Sequence, residues 1–201
     1  MKRTLILLIL VIAAFALYWF VFRNKNEDDG PKTPPLSLKK HSDVFNQSIA
    51  RLMKAYFDMK GAFVEADTVG IKDNCRKFIR LLDSIPLIEL KKDTASIYET
   101  AKMNVGETKA GAQSLLAQTN ITEMRQDFRS VSENLYPSFF VSIHYEGPTL
   151  YWQNCPMAFG EGMDGNWLSN SQSIANPYMG KKDPQYGSAM VNCGSVKDSI
   201  K

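Results

Sequence analysis

The chain has 201 residues, with 24 basic and 21 acidic side chains, a formal charge of +3 and a hydrophobic share of 44%. The charge excess is small and well mixed, with no basic stripe, which argues against nucleic acid as a partner. Apolar and charged residues alternate as in a globular chain, so disorder is not the default, and the length allows one modest domain with an appendix.

Thr4 to Phe22 is a run of 19 residues without a charge, preceded by Lys2 and Arg3. As a helix it would span about 28 Å, enough to cross a bilayer. Ala14-Phe15-Ala16 has the small-x-small form of a cleavage site, so a signal peptide is the competing reading. The apolar run continues through Tyr18-Trp19-Phe20, which favours an anchor with an aromatic interface belt. Residues 1–22 are therefore expected to be a membrane anchor or signal peptide that carries the remainder out of the cytoplasm. Arg23 and Lys25 weaken the positive-inside signal for that orientation. Residues 23–37 are polar, charged and proline-containing, the composition of a flexible linker.

Residues 38–147 carry four helical stripes. Phe45, Ile49, Leu52, Tyr56, Met59 and Phe63 recur at spacings of 4, 3, 4, 3 and 4, which places them on one helical face. Asp67 and Thr68 offer caps for a second stripe, Ile71, Cys75, Phe78, Leu82 and Ile85, which stops at Pro86. A third, between Asp93 and Gln118, repeats small residues such as Ala101 and Ala112, which permit close approach of a neighbour. A fourth, Ile121, Met124, Phe128, Val131 and Leu135, runs to Pro137, where a kink or an end is expected. Short connections between the four predict a mainly α fold, an antiparallel helical bundle. Cys75 lies on the second stripe and reads as a small buried hydrophobe, and Met53, Met59, Met103 and Met124 read as core fillers. His41 reads as part of a polar lead-in.

Residues 148–201 break the helical pattern. Thr149-Leu150-Tyr151-Trp152 predicts a short strand at most. Beyond it lie Met157, Met163, Met179 and Met190 together with Cys155 and Cys193, on stretches rich in glycine and proline, which predicts loops. Thiolate and thioether sulfurs favour a soft ion, and Cys155, Met157, Met190 and Cys193 form a plausible four-sulfur site for Cu(I) or Ag(I), with Met163, Met179 and His144 in reserve. Zinc fits less well, because two cysteines 38 positions apart lack the tight ligand spacing of a structural zinc site. The rival is a disulfide between Cys155 and Cys193, which in an oxidising compartment would stabilise an irregular module by roughly 4 kcal/mol on the chain-entropy estimate. A redox-labile pair that binds metal only when reduced is a third reading.

Tyr151 to Ile200, with CPMA at Cys155–Ala158, WLS at Trp167–Ser169, NPY at Asn176–Tyr178 and M-x-x-CG at Met190–Gly194, resembles an uncharacterised family of exported bacterial domains. The likeness extends upstream through Arg125-Gln126-Asp127-Phe128 and Ser132-Glu133. Members of that family occur alone or fused to periplasmic adaptor subunits of copper/silver efflux pumps. The resemblance implies heavy-metal handling at Cys155, Met157, Met190 and Cys193, with a heavy-metal efflux or copper-handling protein as partner. It places the domain in the periplasm of the bacterial cell envelope, anchored in the inner membrane or secreted if the signal is cleaved. Many relatives carry histidine where this chain has Asn154, Glu123 and Asp127, which narrows any ion to a soft one. Trp167-Leu168-Ser169 and Asn176-Pro177-Tyr178 read as framework that packs and turns.

No phosphate-cradling glycine loop, nucleophile elbow or zinc-protease helix is present, and the chain has two histidines, so no catalytic constellation is expected. The sequence thus predicts an accessory protein that binds a soft metal. The alternative is a non-catalytic interaction module closed by a Cys155–Cys193 disulfide, with Tyr145, Tyr151, Trp152, Tyr178 and Tyr186 as candidate surface aromatics.

Overall fold

The computed structural model describes residues 40–201, so the expected anchor and linker lie outside the described residues. Each expected stripe forms a helix: α1 spans Asp43–Glu65, α2 Thr68–Asp83, α3 Ala95–Ala117 and α4 Ile121–Glu133. A short 3-10 turn, Leu87–Lys92, follows Pro86. Among the described residues, no helix is long and apolar enough to cross a membrane.

Local chemistry sets the helix ends. The Ser42 hydroxyl, Asp67 carboxylate, Thr94 hydroxyl and Asn120 amide oxygen accept from Phe45, Gly70, Ile97 and Glu123 N–H groups at 3.1, 3.0, 3.3 and 2.9 Å. Each satisfies one backbone donor that a helix start leaves open. Pro137 interrupts the fourth stripe as expected: Tyr136 leaves helical geometry at φ −136°, ψ 132°, and helix resumes as α5, Phe140–Ile143.

α1 packs on α2, α2 on α3 and α3 on α4. The core runs through Phe45, Tyr56, Phe63, Phe78, Phe128 and Phe139, all fully buried. The small stripe of α3 does what its composition allows, with Ala101, Thr108 and Ala112 at zero exposure, whereas Met103 of the same helix, expected to fill the core, is 58% exposed. Cys75 is fully buried, its thiol bonds to the Ala112 carbonyl at 3.2 Å, and burial pushes it up to about 12. His41, expected in a polar lead-in, is instead buried: its ring stacks on Phe45 at 4.4 Å and its Nε2 sits 2.5 Å from the Ile143 carbonyl.

The C-terminal segment holds more β structure than its sequence suggests. In place of at most one short strand there are three, β1 Leu150–Cys155, β2 Gly165–Ser169 and β3 Ser195–Ile200, in one antiparallel sheet of order β2-β1-β3. Cys155 faces Gly165 across β1–β2 and Leu150 faces Ile200 across β1–β3. The pairing is non-local: the partners of β1 lie behind glycine-rich turns, so short windows of sequence do not reveal it.

The sheet shares its core with the helices. Trp167 and Leu168 of β2 are fully buried in the same apolar cluster as Phe128 and Tyr56. The Tyr56 hydroxyl accepts from Leu168 N–H at 3.0 Å and lies 2.6 Å from Ser132 Oγ. Ser132 itself donates to the Phe128 carbonyl at 2.9 Å, so Tyr56 is the donor to Ser132. One phenol therefore ties α1 to α4 and caps the outward N–H of an edge strand.

Candidate functional site

Two turns set the geometry of the sulfur segment. Asn176, fully buried, accepts from Tyr178 N–H at 2.8 Å and Met179 N–H at 3.2 Å, and donates to the Cys193 carbonyl at 3.1 Å. A second turn closes when Cys193 N–H donates to the Met190 carbonyl at 2.9 Å. Gly194 then adopts φ +138°, and a Cβ there would stand 2.8 Å from the Asn154 carbonyl. Only glycine fits this approach to β1.

This folding brings Cys193 beside Cys155, and the two form a disulfide with their Cα atoms 5.7 Å apart. Cys155 is fully buried at the end of β1, while Cys193 is half-buried just before β3. Of the four sulfurs singled out by sequence, two are therefore bonded to each other, and neither is a thiolate in this redox state. Met190 is half-buried in the turn before Cys193, and Met157 is half-buried against the core. Of the reserves, Met163 is 53% exposed, Met179 is buried, and His144 is exposed at the end of α5. Among the described residues, no group of three or more His, Cys, Asp or Glu side chains is placed to hold a metal ion.

The positions where histidine is expected from the resemblance have structural partners. Asn154 donates to Asp164 and Asn166 at 2.8 and 2.9 Å, and Asp127 accepts from Gln118 and Ser114 at 2.8 and 3.0 Å. Glu123 is exposed in the first turn of α4. Trp167 and Tyr178 are framework: the indole N–H donates to Gln153 at 2.7 Å, and the Tyr178 hydroxyl donates to the Asn166 carbonyl. Of the aromatics considered as surface, Tyr145 and Tyr178 belong to the core, Tyr151 and Trp152 are half-buried, and Tyr186 is exposed.

A cleft of about 540 Å³ opens between α4 and two C-terminal loops. Its walls include Met157 and Phe159 from the turn after β1, Met179 and Tyr186 from the later loop, and Arg125 from α4. Arg125 is 5% exposed, its Nη2 donates to the Met179 carbonyl at 3.3 Å, and its Nε has no partner. Burial lowers the guanidinium's proton affinity, and the nearby Asp183 carboxylate partly restores it. Sequence reading missed this residue because an arginine on a helix is ordinarily a solvated charge. The available signal was its place on the buried side of the fourth stripe, one residue from Met124.

No curated protein and no solved structure matches the chain. Residues 52–142 match a family described as "Protein of unknown function (DUF3347)", a span that covers most of the helical body and ends before Cys155.

Proposed function

We propose that this chain is a non-catalytic interaction module of the cell envelope, in which a helical body and a disulfide-closed sheet present a binding cleft to a protein or envelope component. The observation that carries the reading is the Cys155–Cys193 disulfide: it commits both cysteines to closing the C-terminal segment and leaves the methionines without thiolate company. Disulfides persist in oxidising compartments, which supports export and placement in the periplasm. The serial packing of α1 to α4 through short connections supports an antiparallel bundle as the body.

A second reading is favoured by one observation, that the thioethers of Met157 and Met179 line the same cleft. Reduction of the disulfide would release two thiolates close to Met157 and Met190 in sequence, and that set suits Cu(I) or Ag(I). In this reading the chain is an accessory of a heavy-metal efflux or copper-handling system, as its CPMA, WLS, NPY and M-x-x-CG motifs imply by resemblance.

Cu(I) titration against a chromophoric chelator, on oxidised and reduced protein, separates the two. The module reading predicts no stoichiometric Cu(I) on the oxidised chain, and one tightly held ion there would overturn it. The metal reading requires one ion on the reduced chain that is lost in a Cys155→Ser, Cys193→Ser double variant. Equal binding by that variant would remove the thiolates from the account.

A further inference from the structure

β3 is the strand with least to hold it. Ser195 to Ser199 are all exposed and Ile200 is half-buried, whereas Trp167, Leu168 and Ser169 of β2 are buried. A short strand is stabilised mainly by what its side chains bury, so β2 is anchored to the core and β3 is not. The β1–β3 register also breaks between Trp152 and Gln153, which leaves Lys197 without a partner on β1. Among the described residues, two side-chain hydrogen bonds tie Cys193–Ile200 to other elements. The Asn176 amide donates to the Cys193 carbonyl at 3.1 Å, and the Tyr136 hydroxyl donates to the Asp198 carboxylate at an exposed position. The covalent tie is the bridge from Cys193, two residues before β3 begins, to Cys155 at the end of β1. Its two sulfurs are unequal, because Cys155 is fully buried and Cys193 is half-buried. Thiol exchange needs a thiolate to reach a sulfur, so approach is through Cys193.

We propose that the Cys155–Cys193 bridge is a redox clasp on β3: a dithiol reductant opens it at Cys193, β3 leaves the sheet, and β1–β2 and the helices stay in place. The inference rests on the disulfide that carries the module reading and makes the closed sheet one of two states. One thiolate of the reductant attacks Cys193 Sγ and forms a mixed disulfide. The Cys155–Cys193 bond breaks with its electron pair on Cys155, which takes a proton. The reductant's second thiolate then attacks its partner sulfur in the mixed disulfide, and Cys193 leaves and is protonated. The reductant ends as an intramolecular disulfide, and its two electrons and two protons reside on the two cysteine thiols. With the bridge closed, β3 is held beside β1 at high effective concentration. Once it is open, pairing must offset a backbone ordering cost of roughly 1–2 kcal/mol per residue with almost no burial. Departure of β3 leaves a row of unpaired backbone groups along β1.

The test is hydrogen exchange read by mass spectrometry on the full-length protein, oxidised and after dithiothreitol at neutral pH. Peptides covering Ser195–Ile200 are expected to exchange about tenfold faster after reduction, while those covering Gly165–Ser169 and α1 to α4 keep their rates. Unchanged exchange over Ser195–Ile200 would show that β3 holds without the bridge, and would overturn the clasp while leaving the module reading intact. Faster exchange over β2 and the helices as well would make the bridge a staple of the whole domain and overturn the clasp equally. So would a bridge that dithiothreitol leaves closed in the native protein. The point of attack is read in native single variants offered glutathione disulfide. Cys155→Ser is expected to form the mixed disulfide at Cys193, and Cys193→Ser to leave Cys155 unreacted. Equal or faster reaction at Cys155 would overturn entry through Cys193. If neither variant folds, exchange in the parent decides. Absence of the bridge from the isolated chain would remove the clasp and the module reading together.

Discussion

Replacing Tyr56 with phenylalanine tests how the sheet is fixed to the helices. The substitution keeps the ring, which stacks on Phe128 with centroids 5.2 Å apart, and removes only the hydroxyl. β2 is an edge of the sheet, and its Leu168 N–H points to the Tyr56 oxygen at 3.0 Å. Without that oxygen a buried amide loses its acceptor, at a cost of about 1–3 kcal/mol, and the bond to Ser132 accounts for about 1 kcal/mol more. Ser132 keeps its own bond to the Phe128 carbonyl and is not orphaned. The expected loss is about 3 kcal/mol, or about 6–12 °C in melting temperature for a chain of this size. Urea denaturation followed by tryptophan fluorescence reads the energy, and hydrogen exchange at Leu168 reads the site. A loss below about 0.5 kcal/mol with Leu168 still protected would refute the idea that this phenol anchors the sheet.

Other perturbations follow from the same geometry. A Cys155→Ala, Cys193→Ala variant should lose about 4 kcal/mol in the same denaturation assay, because the bridge closes a loop with a sequence separation of 38. Lys60 is buried with only Ser169 as a hydrogen-bond partner, and burial lowers its ammonium to about 8. A lowered lysine pKa destabilises the fold below about 8, and the penalty fades as pH rises toward the unfolded value. Lys60→Met should therefore be more stable than the parent at pH 7, by about 1–3 kcal/mol, and the difference should shrink by pH 10 in paired melts. Burial works against ionisation of Glu89, but the Ser42 hydroxyl and N–H and the Lys92 ammonium overcome it and hold the carboxyl at about 2. The stability it contributes is present above the unfolded carboxyl range and lost as pH falls toward 2, so Glu89→Gln should flatten the acid limb of the stability curve between about pH 4.5 and 2.

The helices were legible because their information is local. The 3.6-residue stripes, the cap at Asp67 and the stops at Pro86 and Pro137 all act within a few positions of the residues they constrain. His41 was misread because its burial depends on Ile143 and Glu89, far away in sequence. β2 and β3 were missed for the same reason, since a strand of five or six residues is defined by its partner. The sulfur segment was legible as the place where the helical pattern ends, and both the metal set and the disulfide could be written from it. Choosing between them required the turn at Asn176 and the close approach at Gly194, which bring Cys193 to the end of β1. Arg125 was not legible as a cleft residue because only the loops at Met179 and Asp183 turn an ordinary helical arginine into the wall of a cleft.

The most direct measurement is a thiol count by mass spectrometry on chain isolated from its own compartment without reductant, then unfolded and alkylated. The account predicts one alkylated cysteine, Cys75, with Cys155 and Cys193 recovered in a single linked peptide. Three alkylated cysteines would contradict it and return both sulfurs to the metal reading.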